Sequence, residues 1–563
     1  MVFFALGLAF TSLHWAIKIP LEIVLPMLVW TMVFSLFLQK ELKPVSAWHA
    51  LATDPNGHPN GHPKIKRISF LPRITLTYSE PLVRKPVWIG RGASWTAEHS
   101  HALHDGREPA EALNFGPARQ SRAKKVEMDP RLLSRNGLAL GSPGSGKTQL
   151  LLLLAQAAQK RGESVWLIDP KGSAQLYQRL REGALRAGRP FFALIPQRAE
   201  ESVQYDPLRN CLSGTDVATR LVSLIPGDEQ DVFKHFCWGV VLTLAEAFLL
   251  LGEHPSIAAL SAALPEAGER LLPRVVNYLE GAAGHPLTET SAESSSGVGV
   301  KQGMGAWLAT KNALEALVNH DRTHYQKMIV PLRSVFELLC RGSLGQVLGT
   351  EQTCDRRSLS LDVSVARQQH ATVYIGLDAL VNPLVAKAMA SLILEDIAAD
   401  AARGIARSLS APPQLLLVDE AGEVACEALL QLLGKGRECG VQTWFAIQTL
   451  SDLEWRLGGA AAARVAEGNA GAWFLFRQLD AVSRRESERR LGTLPIARRS
   501  ASLGTSSMRR MGSHYESDSV SDGFTRETVP RIPEAVFSCL EDLECFAHLP
   551  DGSLFHLRLN VSF

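Results

Sequence analysis

The chain is poor in several features that define whole classes of protein. Its eight cysteines are scattered from Cys211 to Cys545 with no CxxC pair and no metal-ligand spacing. That argues against a disulfide scaffold or a zinc module and fits a reducing compartment. It also lacks a charge imbalance, with 59 Lys and Arg against 57 Asp and Glu and a net charge of +2. Any contact with nucleic acid must then rest on local patches or a ring channel rather than on overall basicity. No internal repeat is visible, and composition is silent on the substrate.

The chain's N-terminus does not read as a secretory leader. The apolar N-terminus has no basic residue before it and no small-residue cleavage pattern after it, so the segment is read as a retained anchor. Val2 to Ile17 is apolar apart from Thr11, Ser12 and His14; Lys18 and Pro20 interrupt; Leu21 to Leu38 is apolar apart from Glu22. As a helix the second run would extend roughly 27 Å, close to the thickness of a bilayer core. It is read as a membrane span, with the first run as its partner in a hairpin. Lys40 and Lys43 follow it, which argues that the large domain faces the cytoplasm.

What the chain does have is a complete phosphate-binding loop. Residues 141–148 read Gly141, Ser142, Pro143, Gly144, Ser145, Gly146, Lys147, Thr148. Gly137 to Leu140 before it reads as a short buried strand, and the run opening at Gln149 as a helix. The glycines let backbone N–H groups wrap a phosphate chain. Lys147 neutralises the β and γ phosphates, Thr148 offers its hydroxyl to Mg²⁺, and the helix N-terminus adds partial positive charge. The cofactors implied are ATP and Mg²⁺.

The acidic partner of such a loop stands at the end of Gln414 to Glu420, after Pro412-Pro413. Leu415 to Val418 form a buried strand that delivers Asp419 to the metal and Glu420 to the attacking water. A second carboxylate favours hydrolysis over a nucleotide switch. Val441 to Ile447 reads as the next parallel strand, with Gln448 at its C-terminal end, where it can orient water or sense the γ-phosphate. Arg437 lies on the turn before that strand, a position suited to reaching a neighbouring subunit's nucleotide.

Around these motifs the expected class is α/β, a RecA-like nucleotide-binding domain carrying an inserted all-helical domain and an N-terminal transmembrane anchor. The boundaries read as 1–40 for the anchor, 41–130 for a membrane-proximal β-containing segment, 131–213 for the first part of the nucleotide domain, 214–340 for the helical insertion and 341–563 for its second part. Ser164 to Ile168, Pro190 to Ile195, Thr372 to Gly376 and Trp473 to Phe476 are further strands. The Ser/Gly-rich and charged stretch 499–530 reads as a mobile linker or loop, and Arg484 to Arg490 as a charged helix whose solvated face is favoured over a DNA contact.

In this order the motifs resemble those of the type IV coupling proteins, the TraD/TraG-like ATPases of bacterial conjugation. The resemblance rests on Ile168-Asp169-Pro170-Lys171-Gly172, on Tyr205-Asp206-Pro207-Leu208, and on Gly436-Arg437-Glu438-Cys439-Gly440 followed by Ile447 to Leu453. Trp88 to Trp95 and Phe474 to Asp480 are similar to the subgroup carried by integrative conjugative elements, and the likeness extends over nearly the whole chain. It implies a membrane-anchored homo-hexameric motor that receives single-stranded DNA with its relaxase and feeds it to a type IV secretion channel. It also implies catalytic roles for Lys147, Thr148, Asp419, Glu420, Gln448 and Arg437, with Asp169 and Lys171 lining the same crevice. The alternatives are an FtsK/HerA-like double-stranded DNA translocase, against which the helical insertion argues, and a docking receptor with little motor activity.

Overall fold

The computed structural model describes residues 86–560 except 106–107, 115, 121–122, 134, 228–230, 285–303, 350–359, 407–411 and 511–512. The anchor expected over 1–40, and residues 41–85 of the expected membrane-proximal segment, lie outside the described residues.

Eleven strands form one mixed sheet. In chain order they are β1 (Val87–Ser94), β2 (Lys124–Met128), β3 (Gly137–Leu140), β4 (Ser164–Asp169), β5 (Phe191–Leu194), and then, after a short parallel pair β6 (Gln204–Tyr205) and β7 (Ser360–Leu361), β8 (Thr372–Gly376), β9 (Gln414–Val418), β10 (Val441–Ile447) and β11 (Ala472–Leu475). A long two-stranded hairpin of β12 (Thr493–Arg510) and β13 (Ser513–Pro530) intervenes before β14 (Glu544–His548) and β15 (Leu554–Leu559) complete the sheet. The sheet order is β2-β1-β15-β14-β11-β3-β10-β9-β4-β8-β5. Strands β11 to β5 run parallel, and the β2-to-β14 side is antiparallel.

The parallel strands are continuous apolar runs because both faces are covered. Side chains alternate between the faces at period two. Leu138, Leu140, Trp166, Ile168, Leu416 and Val418 enter one hydrophobic cluster, whereas Ala139, Val165, Leu167, Leu415 and Leu417 enter the other. Helices Lys147–Arg161 and Ala174–Arg186 contribute to the second cluster; Pro383–Ala406 and Glu427–Lys435 contribute to the first. This is the RecA-like α/β arrangement.

Two sequence expectations are revised. Strands β1 and β2 are not a separate membrane-proximal module. They extend the main sheet, with β1 paired to β15, because Gly90 and Gly92 allow the approach; a Cβ on Gly90 would lie 2.1 Å from the Arg558 carbonyl oxygen. The described elements from Gly214 to Val347 are all helical, yet Val240, Leu244 and Leu339 share one cluster with Trp166 and Ile168. These helices pack mainly on one another, Val232–Leu250 against Gly214–Val222 and Met304–Val318, and Ile257–Ala263 against Val330–Cys340, and their apolar residues run on into the cluster on that face of the sheet. Residues 499–510 and 513–530, read as part of a mobile linker or loop, are in the paired strands β12 and β13, in register from Thr493 opposite Pro530 to Arg510 opposite Ser513. Its base is anchored by Leu494, Ile496 and Val529.

Among the described residues one helix, Val232–Leu250, is long and apolar enough to cross a membrane. Its Val240, Val241, Leu244, Ala245 and Ala247 are buried in the core layer.

Candidate functional site

Strand β3 is wholly buried and ends at Leu140, from which the chain turns through the phosphate loop into helix Lys147–Arg161. Gly144 (φ 75°) and Gly146 (φ 116°) adopt left-handed conformations, which glycine enters without a Cβ penalty. The loop is fixed from outside. Ser142 N–H donates to the Arg477 carbonyl (2.7 Å), Gly141 N–H to Ile447 (3.2 Å), and Leu543 N–H to the Ser145 carbonyl (2.8 Å).

Inside the loop, Lys147 Nζ donates to the carbonyls of Gly141 (2.7 Å) and Ser142 (3.1 Å). Burial pulls its ammonium below the ordinary value, against the opposing pull of Glu420 and Asp419. The hydroxyls of Ser142 and Ser145 are buried without a hydrogen-bond partner. A cation held by carbonyl stand-ins beside orphaned donors is a cradle matched to phosphate oxygens.

Strand β9 lies two places from β3 across β10 and delivers Asp419 and Glu420 at the same end of the sheet. Thr148 Oγ1 donates to Asp419 Oδ2 at 2.7 Å. Asp419 is only 2 % exposed, and burial pushes its carboxyl up to about 6 despite that hydrogen bond, with Glu420 and Asp169 adding to the shift. Among the described residues no group of three or more His, Cys, Asp and Glu forms an all-protein metal cage. The Thr148 and Asp419 pair fits a Mg²⁺ completed by phosphate oxygens and water, the usual hard-cation arrangement.

Glu420 sits in the left-handed region (φ 43°, ψ 53°), costing on the order of 1 kcal/mol for a residue with a side chain. Its carboxylate is engaged on both oxygens, by Lys171 Nζ on Oε1 (2.6 Å) and by Gln448 Nε2 on Oε2 (2.8 Å). Burial lowers Lys171, but its bond to Glu420 and the nearby carboxylates leave the net shift upward.

Of the residues read from the sequence, the strand ends bring together Lys147, Thr148, Asp419, Glu420 and Gln448. Asp169 is close but fully occupied: Oδ1 accepts from Lys171 N–H (2.9 Å), and Oδ2 from Ser173 N–H (2.7 Å) and the Tyr374 hydroxyl (2.8 Å). It shapes the turn that presents Lys171. Gln149 Oε1 faces Arg179 Nη1 (3.3 Å), on the helix that packs beside it. Arg437 is not at this site. It is exposed on the turn Gly436–Cys439 before β10, whereas Gln448 follows β10, and the intervening seven-residue strand spans about 20 Å. Sequence reasoning missed Tyr374 and Leu543, for which no local motif gives a signal.

With this geometry in view, residues 413–534 match the family model described as the TraM recognition site of TraD and TraG, a span holding Asp419, Glu420, Arg437, Gln448 and the hairpin. The chain is TraD/TraG-like. Its fold is similar to the bacterial conjugative coupling protein TrwBΔN70 in complex with sulphate (TM-score 0.51, 15% identity, covering 84% of this chain and 95% of that one). It is also similar to the plasmid coupling protein TrwB in complex with the non-hydrolysable GTP analogue GDPNP (0.50, 15%, 84% and 96%) and with the ATP analogue ADPNP (0.50, 14%, 85% and 96%). No curated protein sequence matches the chain. At these identities the structural likenesses speak for the TraD/TraG-like chain's fold, and the chemistry rests on its own residues.

Proposed function

We propose that this protein is an ATP-hydrolysing coupling motor of bacterial conjugation. The observation that carries the reading is the convergence of a phosphate cradle, a buried carboxylate and a clamped second carboxylate at the C-terminal ends of β3, β9 and β10. In this reading Lys147 and the loop N–H groups hold the triphosphate, and Thr148 and Asp419 hold Mg²⁺. When bound, that ion neutralises charge building on the phosphate oxygens. Glu420 accepts the proton of the attacking water, Gln448 orients that water, and Arg437 of a neighbouring protomer completes the site.

The finer reading follows the resemblance: a homo-hexamer anchored in the inner membrane through residues 1–40, with its large domain in the cytoplasm. There it receives single-stranded DNA with its relaxase and passes it to a type IV secretion channel. The TrwB likeness supports the motor's architecture.

The test is a pair of variants of the full chain. Lys147→Ala should abolish nucleotide binding, whereas Glu420→Gln should bind ATP normally and hydrolyse it about 10²-fold more slowly, the usual worth of a general base. Wild-type turnover from Glu420→Gln would remove the general-base role. Negligible turnover by the wild type with single-stranded DNA present would favour a docking receptor.

A further inference from the structure

Glu420 is not free to act as a base in the nucleotide-free protein. Both of its oxygens are taken, and the stronger contact is the 2.6 Å pair with Lys171. A carboxylate oxygen occupied by an ammonium at that distance is not presented to the proton of a water. The arrangement is therefore an idle one.

Lys171 is built to change partners. Its backbone is pinned: Lys171 N–H and Ser173 N–H both donate to Asp169, Gly172 N–H donates to the Asp169 carbonyl, and Tyr374 holds the same carboxylate. Its side chain, by contrast, is 58 % exposed and ends on a flexible four-carbon stem. An ion pair with so exposed a partner adds little to folding stability, so fold maintenance does not explain it. The pair also stands at the strand ends where Lys147 is already bonded to carbonyl stand-ins. Lys147 and Lys171 thus both have partners within the chain.

Resting on the hydrolysis reading above, the geometry points to Lys171 as a positioning residue that responds to the γ-phosphate. Without nucleotide its ammonium holds Glu420 idle; with ATP bound it moves to the more highly charged γ-phosphate and releases Glu420 Oε1. The water oxygen then bonds to the γ-phosphorus and its proton passes to Glu420. The bond to the β–γ bridging oxygen breaks with its electron pair leaving on ADP. Loss of phosphate returns Lys171 to Glu420. Gln448 keeps its hold on Oε2 throughout, so the freed oxygen stays aimed. The device makes activation of the base conditional on a third phosphate, and ADP leaves the site idle.

The experiment compares wild type, Lys171→Ala and Lys171→Arg as full chains. It reads the ratio of dissociation constants for ADP and a non-hydrolysable ATP analogue, together with kcat and KM. Lys171→Ala should bind ADP within about twofold of wild type and lose about tenfold or more of its preference for the analogue, the worth of one charge-assisted hydrogen bond. Its kcat should fall, and Lys171→Arg should recover part of the preference. An unchanged preference in Lys171→Ala overturns the role. If that variant does not fold, Lys171→Met keeps the stem and is read the same way. A wild type that neither binds nor turns over ATP defeats the hydrolysis reading itself; a competent wild type with an unaltered ratio in the variants defeats only the role of Lys171.

Discussion

Thr148 and Asp419, 271 positions apart in sequence, meet through a single 2.7 Å hydrogen bond that joins the start of the P-loop helix to the end of β9. Replacing Asp419 by Asn keeps an acceptor for the Thr148 hydroxyl and removes the charge a divalent cation needs. The variant should therefore fold, be stabilised by nucleotide alone, and lose the extra thermal stabilisation that Mg²⁺ confers on the wild type. Thermal melting with an ATP analogue, with and without Mg²⁺, measures this directly. An equal Mg²⁺ increment in both proteins would contradict the assignment.

Arg437 stands about one strand length from its own phosphate loop. If it completes a neighbour's site, Arg437→Ala and Lys147→Ala subunits should each be inactive alone, and mixed oligomers should regain partial ATPase activity. Catalytic arginines of this type are worth about 10³ or more in rate. Mixed oligomers that stay inactive at every ratio would make Arg437 a surface charge.

The pH dependence of stability should be governed in part by a buried cluster behind the P-loop. Glu544, 2 % exposed, accepts from Arg119 Nε (2.9 Å) and Nη2 (2.8 Å) and contacts His556 Nε2 (2.9 Å). Burial alone would raise its carboxyl, but these bonds outweigh burial and hold it at about 2. A carboxyl lowered by folding stabilises fully above its unfolded value near 4.5, and that contribution is lost as the pH falls toward 2. His556 is fully buried, and desolvation lowers it; its Nδ1 can accept from Ala118 N–H (3.4 Å), consistent with a neutral ring. Protonation of the unfolded chain below about 6.5 therefore also favours unfolding. Denaturant midpoints should fall on acidification from about pH 6.5 and more steeply below 4.5. Glu544→Gln should cost about 3 kcal/mol near neutrality and flatten the lower limb, because it removes the nearer of the two carboxylates facing the largely buried Arg119 and leaves only Glu541 at 3.9 Å.

Deleting residues 1–39 should give a protein that binds ATP and no longer supports DNA transfer, since the apolar runs and the nucleotide-binding motifs are separate segments of the sequence. Fractionation after salt and alkaline washing is the measurement. Firm membrane retention of the truncated chain would refute the anchor.

What was legible in the sequence was what is local. The phosphate loop, the Asp419-Glu420 strand end and Gln448 each announce themselves within about ten residues, because a strand, a tight turn and a helix must follow one another there. The charged helix Ala481–Leu491 was equally plain, although its Arg490, over the Trp473 ring at 4.9 Å, is partly buried. The Lys171–Glu420 pair was not legible: its members are 249 positions apart, and only the order of β4 and β9 in the sheet brings them together. The β12–β13 hairpin was missed because its Ser, Gly and charged residues have the composition of a linker, and the pairing of one strand with the other decides the structure. Apolar periodicity identified the helices after Gly214 but carried no information about which surface they cover.

The backbone bond from Leu543 to Ser145 has a consequence for the order of events in synthesis. Residues 137–161 contain every motif needed to wrap a phosphate, yet the loop is braced by Arg477 and by the turn that leads into β14. A nascent chain emerging from the ribosome exposes the phosphate motif hundreds of residues before its brace exists. ATP competence therefore arrives late, and a stalled or truncated product carries the motif without the grip.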